Sequence, residues 1–266
     1  MKEYNLGFIG AGNMAQAIIN GAIEKRIVAA GNIYVYDIDT VKINVLENSL
    51  GVNSVCSINE LSVQCDFILI AVKPNIMPDV LNQIKEFNKP VISIAAGWSA
   101  DMIKNVIGCN KKVLRLMPNT PLMVGEGMSV FETPNNFDEQ ERIFIERIFS
   151  SLGKVDCAPL KLMDAVTAVS GSGPAYVYMF IESLADAGVL CGLPRSQAIT
   201  LATQTVLGAA KTVMDTGKHP GALKDAVCSP GGTTIEAVKS LEQSGFRGAV
   251  IRAVEQCANK SKALND

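Results

Sequence analysis

Hydrophobic and polar positions follow two different rhythms along this chain. Up to about residue 160, short apolar or β-branched runs alternate with segments of helical spacing. Leu6 to Ile9 is apolar and ends at glycines, and Met14 to Lys25 then repeats its apolar residues at helical intervals. Ile33 to Tyr36 reads as a strand that stops at Asp37. Thr40 to Leu50 reads as a helix closed by Gly51. Asp66 to Val72 is apolar after its first residue, the pattern of a strand buried on both faces of a parallel sheet. Pro78 to Glu86 predicts a helix, Pro90 to Ala95 a strand, and Val113 to Met117 and Met128 to Phe131 two more. Asp138 to Ser151 predicts a helix, followed by a last short strand near Val155. Strand–helix alternation of this kind predicts a doubly wound α/β sheet.

After Leu160 the strand signals stop. Helical segments are expected at Ala165 to Cys191, interrupted by Gly-Ser-Gly-Pro, and at Pro194 to Met214, Thr233 to Gln243 and Phe246 to Leu264. Ala198 to Ala210 is apolar or small on nearly every face. A helix of that kind is buried all round. The roughly hundred residues of this helical region can hardly enclose it alone, so burial in a homodimer is expected. The expected organisation is a nucleotide-binding domain over residues 1–160 and an all-helical domain over 161–266.

Gly10-Ala11-Gly12-Asn13-Met14-Ala15 is a G-x-G-x-x-A run that follows a strand and opens a helix. Gly10 allows the tight turn and Gly12 lets the backbone approach a pyrophosphate. Ala15 lets helix and strand pack closely. Ala11, Asn13 and Met14 complete the phosphate turn. Asp37 ends the second strand, where an acidic side chain accepts from ribose hydroxyls and repels a 2′-phosphate. The nearest cation after it is Lys42. The cofactor expected is therefore NADPH or NADH, with Asp37 favouring NADH. Ala71-Val72-Lys73-Pro74 closes the third predicted strand at the same sheet edge, with Lys73 within reach of ribose or phosphate. The small residues around Ala96 would admit the nicotinamide half.

Composition narrows the rest. With 266 residues, 48% of them hydrophobic, a sizeable core forms. The net charge of −2, with both signs interspersed, excludes a nucleic-acid surface. Apolar runs such as Tyr176 to Ile181 are too short to span a membrane, and the N-terminal stretch shows no secretory signal. Seven cysteines without a C-x-x-C pair fit free thiols in a reducing cytosol, so a cytoplasmic location is expected. The single histidine, His219, argues against a His-based metal site or a Ser–His–Asp triad, and no metal is expected. His219 is read as structural, in a loop.

Cys228-Ser-Pro-Gly-Gly-Thr-Thr-Ile-Glu-Ala-Val238 packs two glycines and two threonines against a helix start. Successive amides at Gly231, Gly232, Thr233 and Thr234 form an expected nest for a carboxylate. Thr233 and Glu236 have the spacing of a capping box.

Together with FIGAGNM, AVKP, RLMPNTP, AVSGSGPAY and HPGALKD, this stretch resembles the pyrroline-5-carboxylate reductases over essentially the whole chain. The resemblance implies a Rossmann domain followed by a helical domain that interlocks with a partner, and assembly of dimers into larger oligomers such as decamers. It implies hydride transfer from NAD(P)H to 1-pyrroline-5-carboxylate, giving L-proline. Ser229 to Thr234 becomes the substrate loop, with Thr234 and Thr233 as candidate catalytic residues and Ser229, Gly231 and Gly232 as substrate contacts. Ser172 and Gly173 become part of the substrate pocket, and Asn59 a cofactor contact. A hydroxyl is a poor proton donor at neutral pH, so Thr234 is assigned to orienting the imine nitrogen. A β-hydroxyacid dehydrogenase is disfavoured, because Val177 stands where that family carries its lysine. A nucleotide-sensing binding protein, or a reductase of another cyclic imine, is the alternative.

Overall fold

The computed structural model describes residues 3–264. The chain separates into two compact units, one running to Ser172 and including the residues from Cys257 onward, the other Gly173–Gln256.

The first unit is built on an eight-stranded sheet: β1 Leu6–Ile9, β2 Ile33–Tyr36, β3 Asn53–Ser54, β4 Phe67–Ile70, β5 Val91–Ser93, β6 Val113–Met117, β7 Gly127–Thr133 and β8 Gly153–Pro159. Their order across the sheet is β3-β2-β1-β4-β5-β6-β7-β8. The helices between them are α1 Asn13–Glu24, α2 Thr40–Leu50, α3 Ile58–Gln64, α4 Met77–Ile84, α5 Ala100–Ile107 and α6 Glu139–Ser150. Alternate residues of β4 enter opposite layers: Phe67 and Leu69 pack with α1 and α6, while Ile68 and Ile70 pack with α3, α4 and α5. This two-sided burial is why the run carries no polar alternation. The strand is shorter than its apolar pattern. Asp66 instead accepts the Asn5 amide at 2.9 Å, and Ala71 and Val72 leave the sheet as loop.

One strand pair departs from parallel winding. β6 and β7 are antiparallel, with Leu116 opposite Phe131. The connection from Pro118 to Glu126 is shorter than the roughly dozen residues a parallel crossover requires, so the chain folds straight back. The pattern of apolar residues had not indicated β3 or α5. The first has two residues, too few for a period. α5 has eight and buries Ile103 and Ile107 one turn apart, with Ser99 capping it through the Met102 amide at 3.1 Å. The bounds of α2 match those expected. Asp39 caps α2 by accepting from Val41, and Gly51, at φ 70°, ends it in the left-handed region.

The first unit continues through α7 Met163–Val166 and a π-helical turn over Thr167–Gly171. The second unit holds α8 Gly173–Leu190, α9 Arg195–Thr216, α10 Pro220–Val227, α11 Thr233–Gln243 and most of α12 Phe246–Ala263. α8 and α9 pack through small residues. A Cβ on Gly188 would stand 3.1 Å from that of Ala198. Within one chain α9 buries only Ala198 and Ala202, and Ile199, Leu201 and Leu207 stay 48–54% exposed. The burial expected on every face of residues 198–210 is thus not supplied by the chain itself. His219 is not in a loop interior. It is the N-cap of α10, its Nδ1 accepting the Gly221 amide at 3.0 Å, because Pro220 fixes the first helical residue. Among the described residues, no helix is long and apolar enough to cross a membrane.

Candidate active site

At the end of β1 the chain turns at Gly10, with φ 105°. A Cβ there would lie 2.6 Å from the Ala71 carbonyl oxygen, so both the backbone angle and the close approach require glycine. The Gly10 amide donates to Tyr36 O at 2.8 Å, and the Ala71 amide donates to Ile9 O at 2.8 Å. Gly10, Asp37 and Ala71 are thereby gathered at the carboxyl edge of β1, β2 and β4, where the strand order changes direction about β1.

Gly12 is the N-cap of α1. It has no side-chain cap, and no acidic residue occupies the first turn. A Cβ on Gly12 would meet nothing within 4 Å, so the turn opens outward at that point. The first-turn amides of Asn13, Met14 and Ala15 have no i−4 acceptor within the helix and form the positive end of its dipole. Ala15 is fully buried and seats the helix on the sheet.

Asp37 is half-buried and holds the turn from the side. Its Oδ2 accepts the Ala11 amide at 2.6 Å and its Oδ1 accepts the Asp39 amide at 2.9 Å. Capping α2 falls to Asp39, leaving Asp37 outside that helix. Lys42 sits 3.2 Å from Asp39, and this contact holds the Asp39 carboxyl below the usual carboxylate range. The first cation that follows β2 in the sequence is therefore already paired.

Two further loops border this edge. Lys73 and Pro74 are exposed where Pro74–Ile76 forms a single 3-10 turn. Ala96 follows β5, half-buried, and Gly97 turns the chain at φ 77°. Trp98 ties the two loops together, its indole Nε1 donating to Pro74 O at 3.1 Å. The sequence carried no signal for this link beyond Trp98 being the one tryptophan. Asn59 lies in the first turn of α3 and is exposed. Ser57, not Asn59, caps that helix, its hydroxyl accepting from Glu60 at 3.2 Å.

In the second unit, Ser229 to Gly232 forms a turn in which the Gly232 amide donates to Ser229 O at 3.0 Å. Gly231 is left-handed at φ 66°, and a Cβ on Gly232 would collide with the Ser229 hydroxyl. Two expectations change here. The Gly232 amide is consumed by the turn, so the expected nest loses one donor. The capping box is not formed either. The turn brings the chain into α11 one residue early, Gly232 becomes the N-cap with no side-chain cap, and Thr233 becomes the first helical residue. Thr233 and Thr234 therefore present their amides in the uncapped first turn, Thr234 half-buried and Thr233 exposed. Ser172 is half-buried at the end of the π turn and accepts from the Cys257 thiol at 3.2 Å; Gly173 begins α8.

Residues 161–264 match the family profile described as pyrroline-5-carboxylate reductase dimerisation, and residues 5–97 match that of NADP oxidoreductases, coenzyme F420-dependent. A pyrroline-5-carboxylate reductase of Escherichia coli is 46% identical over 267 residues, covering 99% of each chain. The structure of a Plasmodium falciparum pyrroline carboxylate reductase with NADP bound superposes with a TM-score of 0.91 at 37% identity, over 100% of both chains. A pyrroline-5-carboxylate reductase structure from Coxiella burnetii gives 0.91 at 32% identity, again over 100% of both. With this coverage and identity, the chain belongs to the pyrroline-5-carboxylate reductase family.

Proposed function

We propose that this protein reduces 1-pyrroline-5-carboxylate to L-proline with NAD(P)H, residues 1–160 holding the dinucleotide and residues 161–266 the substrate and a partner subunit. One observation carries the assignment of the site: α1 and α11 are both entered through a glycine N-cap with no side-chain cap. α2, α3, α5, α6 and α10 have one, and α4, α7 and α9, also without a side-chain cap, are entered through Ile76, Leu162 and Pro194 rather than through glycine. The two glycine-capped starts leave first-turn amides free for anions, the pyrophosphate at Gly12-Asn13-Met14 and the substrate carboxylate at Thr233-Thr234.

The residues fit a dinucleotide. Gly10 and Gly12 leave the turn bare, and Asp37 offers carboxylate oxygens beside it. Ala71, Val72, Lys73, Pro74 and Ala96 border the path towards the reacting end. When bound, the reduced nicotinamide supplies the hydride. The chain's part is orientation. Thr233 and Thr234 amides hold the carboxylate with Ser229, Gly231 and Gly232 shaping the turn. The Thr234 hydroxyl bonds the ring nitrogen, and the family likeness makes Ser172 and Gly173 further substrate contacts. The imine nitrogen enters protonated and keeps that proton as the C=N bond takes up hydride at carbon, so no side chain is needed as proton donor.

We further infer a preference for NADH. The Plasmodium relative has NADP bound, but here Asp37 places a carboxylate at the end of β2 and the first cation that follows it in the sequence is paired to Asp39. The half-exposed apolar residues of α9 support a homodimer, whose association into larger assemblies is read by light scattering.

The test is consumption of reduced nicotinamide by purified protein with pyrroline-5-carboxylate, with NADH and NADPH in parallel. Turnover with proline as product is expected. Cofactor binding without turnover would support the nucleotide-sensing reading instead.

A further inference from the structure

The Met117–Pro121 stretch, Met-Pro-Asn-Thr-Pro, leaves β6 towards the π turn that precedes Ser172. Asn119 is 9% exposed and its carboxamide is bonded through both heteroatoms. Oδ1 accepts the Met128 amide at 2.8 Å, at the start of β7, and Nδ2 donates to Ser170 O at 3.1 Å. The second bond crosses to the π turn, where the Ser172 amide reaches back to Thr167 O at 2.8 Å, five residues away. A π turn widens the helix and interrupts the regular ladder, so a carbonyl inside it needs an outside donor. Met117 lies against the same turn, its sulfur 3.7 Å from where a Gly171 Cβ would stand. On the other side, the Cys257 thiol donates to Ser172 Oγ at 3.2 Å, and Ser261 Oγ donates to Asp164 Oδ1 at 2.7 Å.

We infer that Asn119 is a positioning residue for substrate: its carboxamide fixes the π turn to the edge of the sheet and so sets where Ser172 stands. The inference rests on the reading of Ser172 as part of the substrate pocket. Asn119 suits this task because one planar group supplies an acceptor for β7 and a donor for the turn at fixed separation. A widened helical turn without that donor has alternative registers, and orientation of the imine is sensitive to shifts of about an ångström.

The test is Asn119→Asp, nearly isosteric, which keeps the acceptor for Met128 and replaces the donor to Ser170 O with a repelling oxygen. Steady-state kinetics are measured for both substrates, alone and combined with Ser172→Ala. The expected result is a fall of at least tenfold in kcat/KM for pyrroline-5-carboxylate with KM for NADH within twofold. The double variant should be no worse than the worse single one. Should N119D fail to fold, Asn119→Ser is measured in the same way, with the same expectations. Unchanged kinetics, or parallel losses towards both substrates that simply add to those of S172A, would overturn the inference. Absence of turnover in the wild-type protein would instead overturn the reading of the reaction.

Discussion

The Asp37 carboxylate takes the Ala11 amide at 2.6 Å, fastening the end of β2 to the glycine turn across 26 residues of sequence. The contact fixes a negative charge beside the turn. Replacing Asp37 by serine removes that charge and keeps a weaker acceptor. The expected outcome is a rise of about tenfold or more in the NADPH/NADH ratio of kcat/KM, roughly 1.4 kcal/mol in relative transition-state binding. An unchanged ratio would show that Asp37 does not select the cofactor.

Thr234→Ala should lower kcat by roughly ten- to a hundredfold, the scale of one lost orienting hydrogen bond. Cofactor affinity, measured by fluorescence quenching, should stay the same. Thr233→Ala should be milder, because its exposed side chain leaves the first-turn amides in place.

Arg115 and Glu132 form a buried ion pair between β6 and β7, 3.2 Å apart and 1% and 6% exposed at their side chains. Glu132 also accepts the Ala100 amide at 3.4 Å, at the start of α5. Arg115 Nε and Nη2 find no partner among the described residues, so the pair is an expensive arrangement. Glu132→Ala leaves a buried charge and should cost about 3–5 kcal/mol in urea unfolding at fixed protein concentration. The double change Arg115→Met with Glu132→Leu should be much closer to neutral. Equal losses in both proteins would contradict this account.

Cys65 is buried where α3 meets β1, and burial pushes its thiol from the ordinary 9.0 up to about 12. Below pH 9 the group is protonated in both folded and unfolded chains. Above it the unfolded thiol ionises first, so the unfolded chain binds fewer protons and stability falls as pH rises towards 12. The slope is at most about 1.4 kcal/mol per pH unit. Urea unfolding at pH 8 and pH 10 should therefore show a larger loss in the wild type than in Cys65→Ala. At pH 8 iodoacetamide should modify the exposed Cys56, Cys109, Cys157 and Cys191 and leave Cys65 intact in the folded chain.

Much of this molecule is local chemistry, and that part was legible in the residue order. The Phe67–Ile70 run is apolar throughout because both of its faces are covered. Thr40 to Leu50 ends at Gly51 because the chain must turn left-handed there. Gly10 and Gly12 mark a turn that needs a bare backbone, and the 229–234 stretch is one of six short stretches that together carry the family likeness. What packing decided lies in pairs distant in sequence. The return of β7 against β6 follows from a short connection, not from any residue pattern. One boundary is local and still departs from the spacing: a turn closed on Ser229 makes Gly232 the N-cap of α11, which unmakes the Thr233–Glu236 box. The bond between Asn119 and Ser170 spans 51 residues. Periodicity and backbone preference act over a few neighbours, so they fix where strands, helices and turns begin. Which carbonyl a buried amide reaches depends on how those elements come to rest against one another.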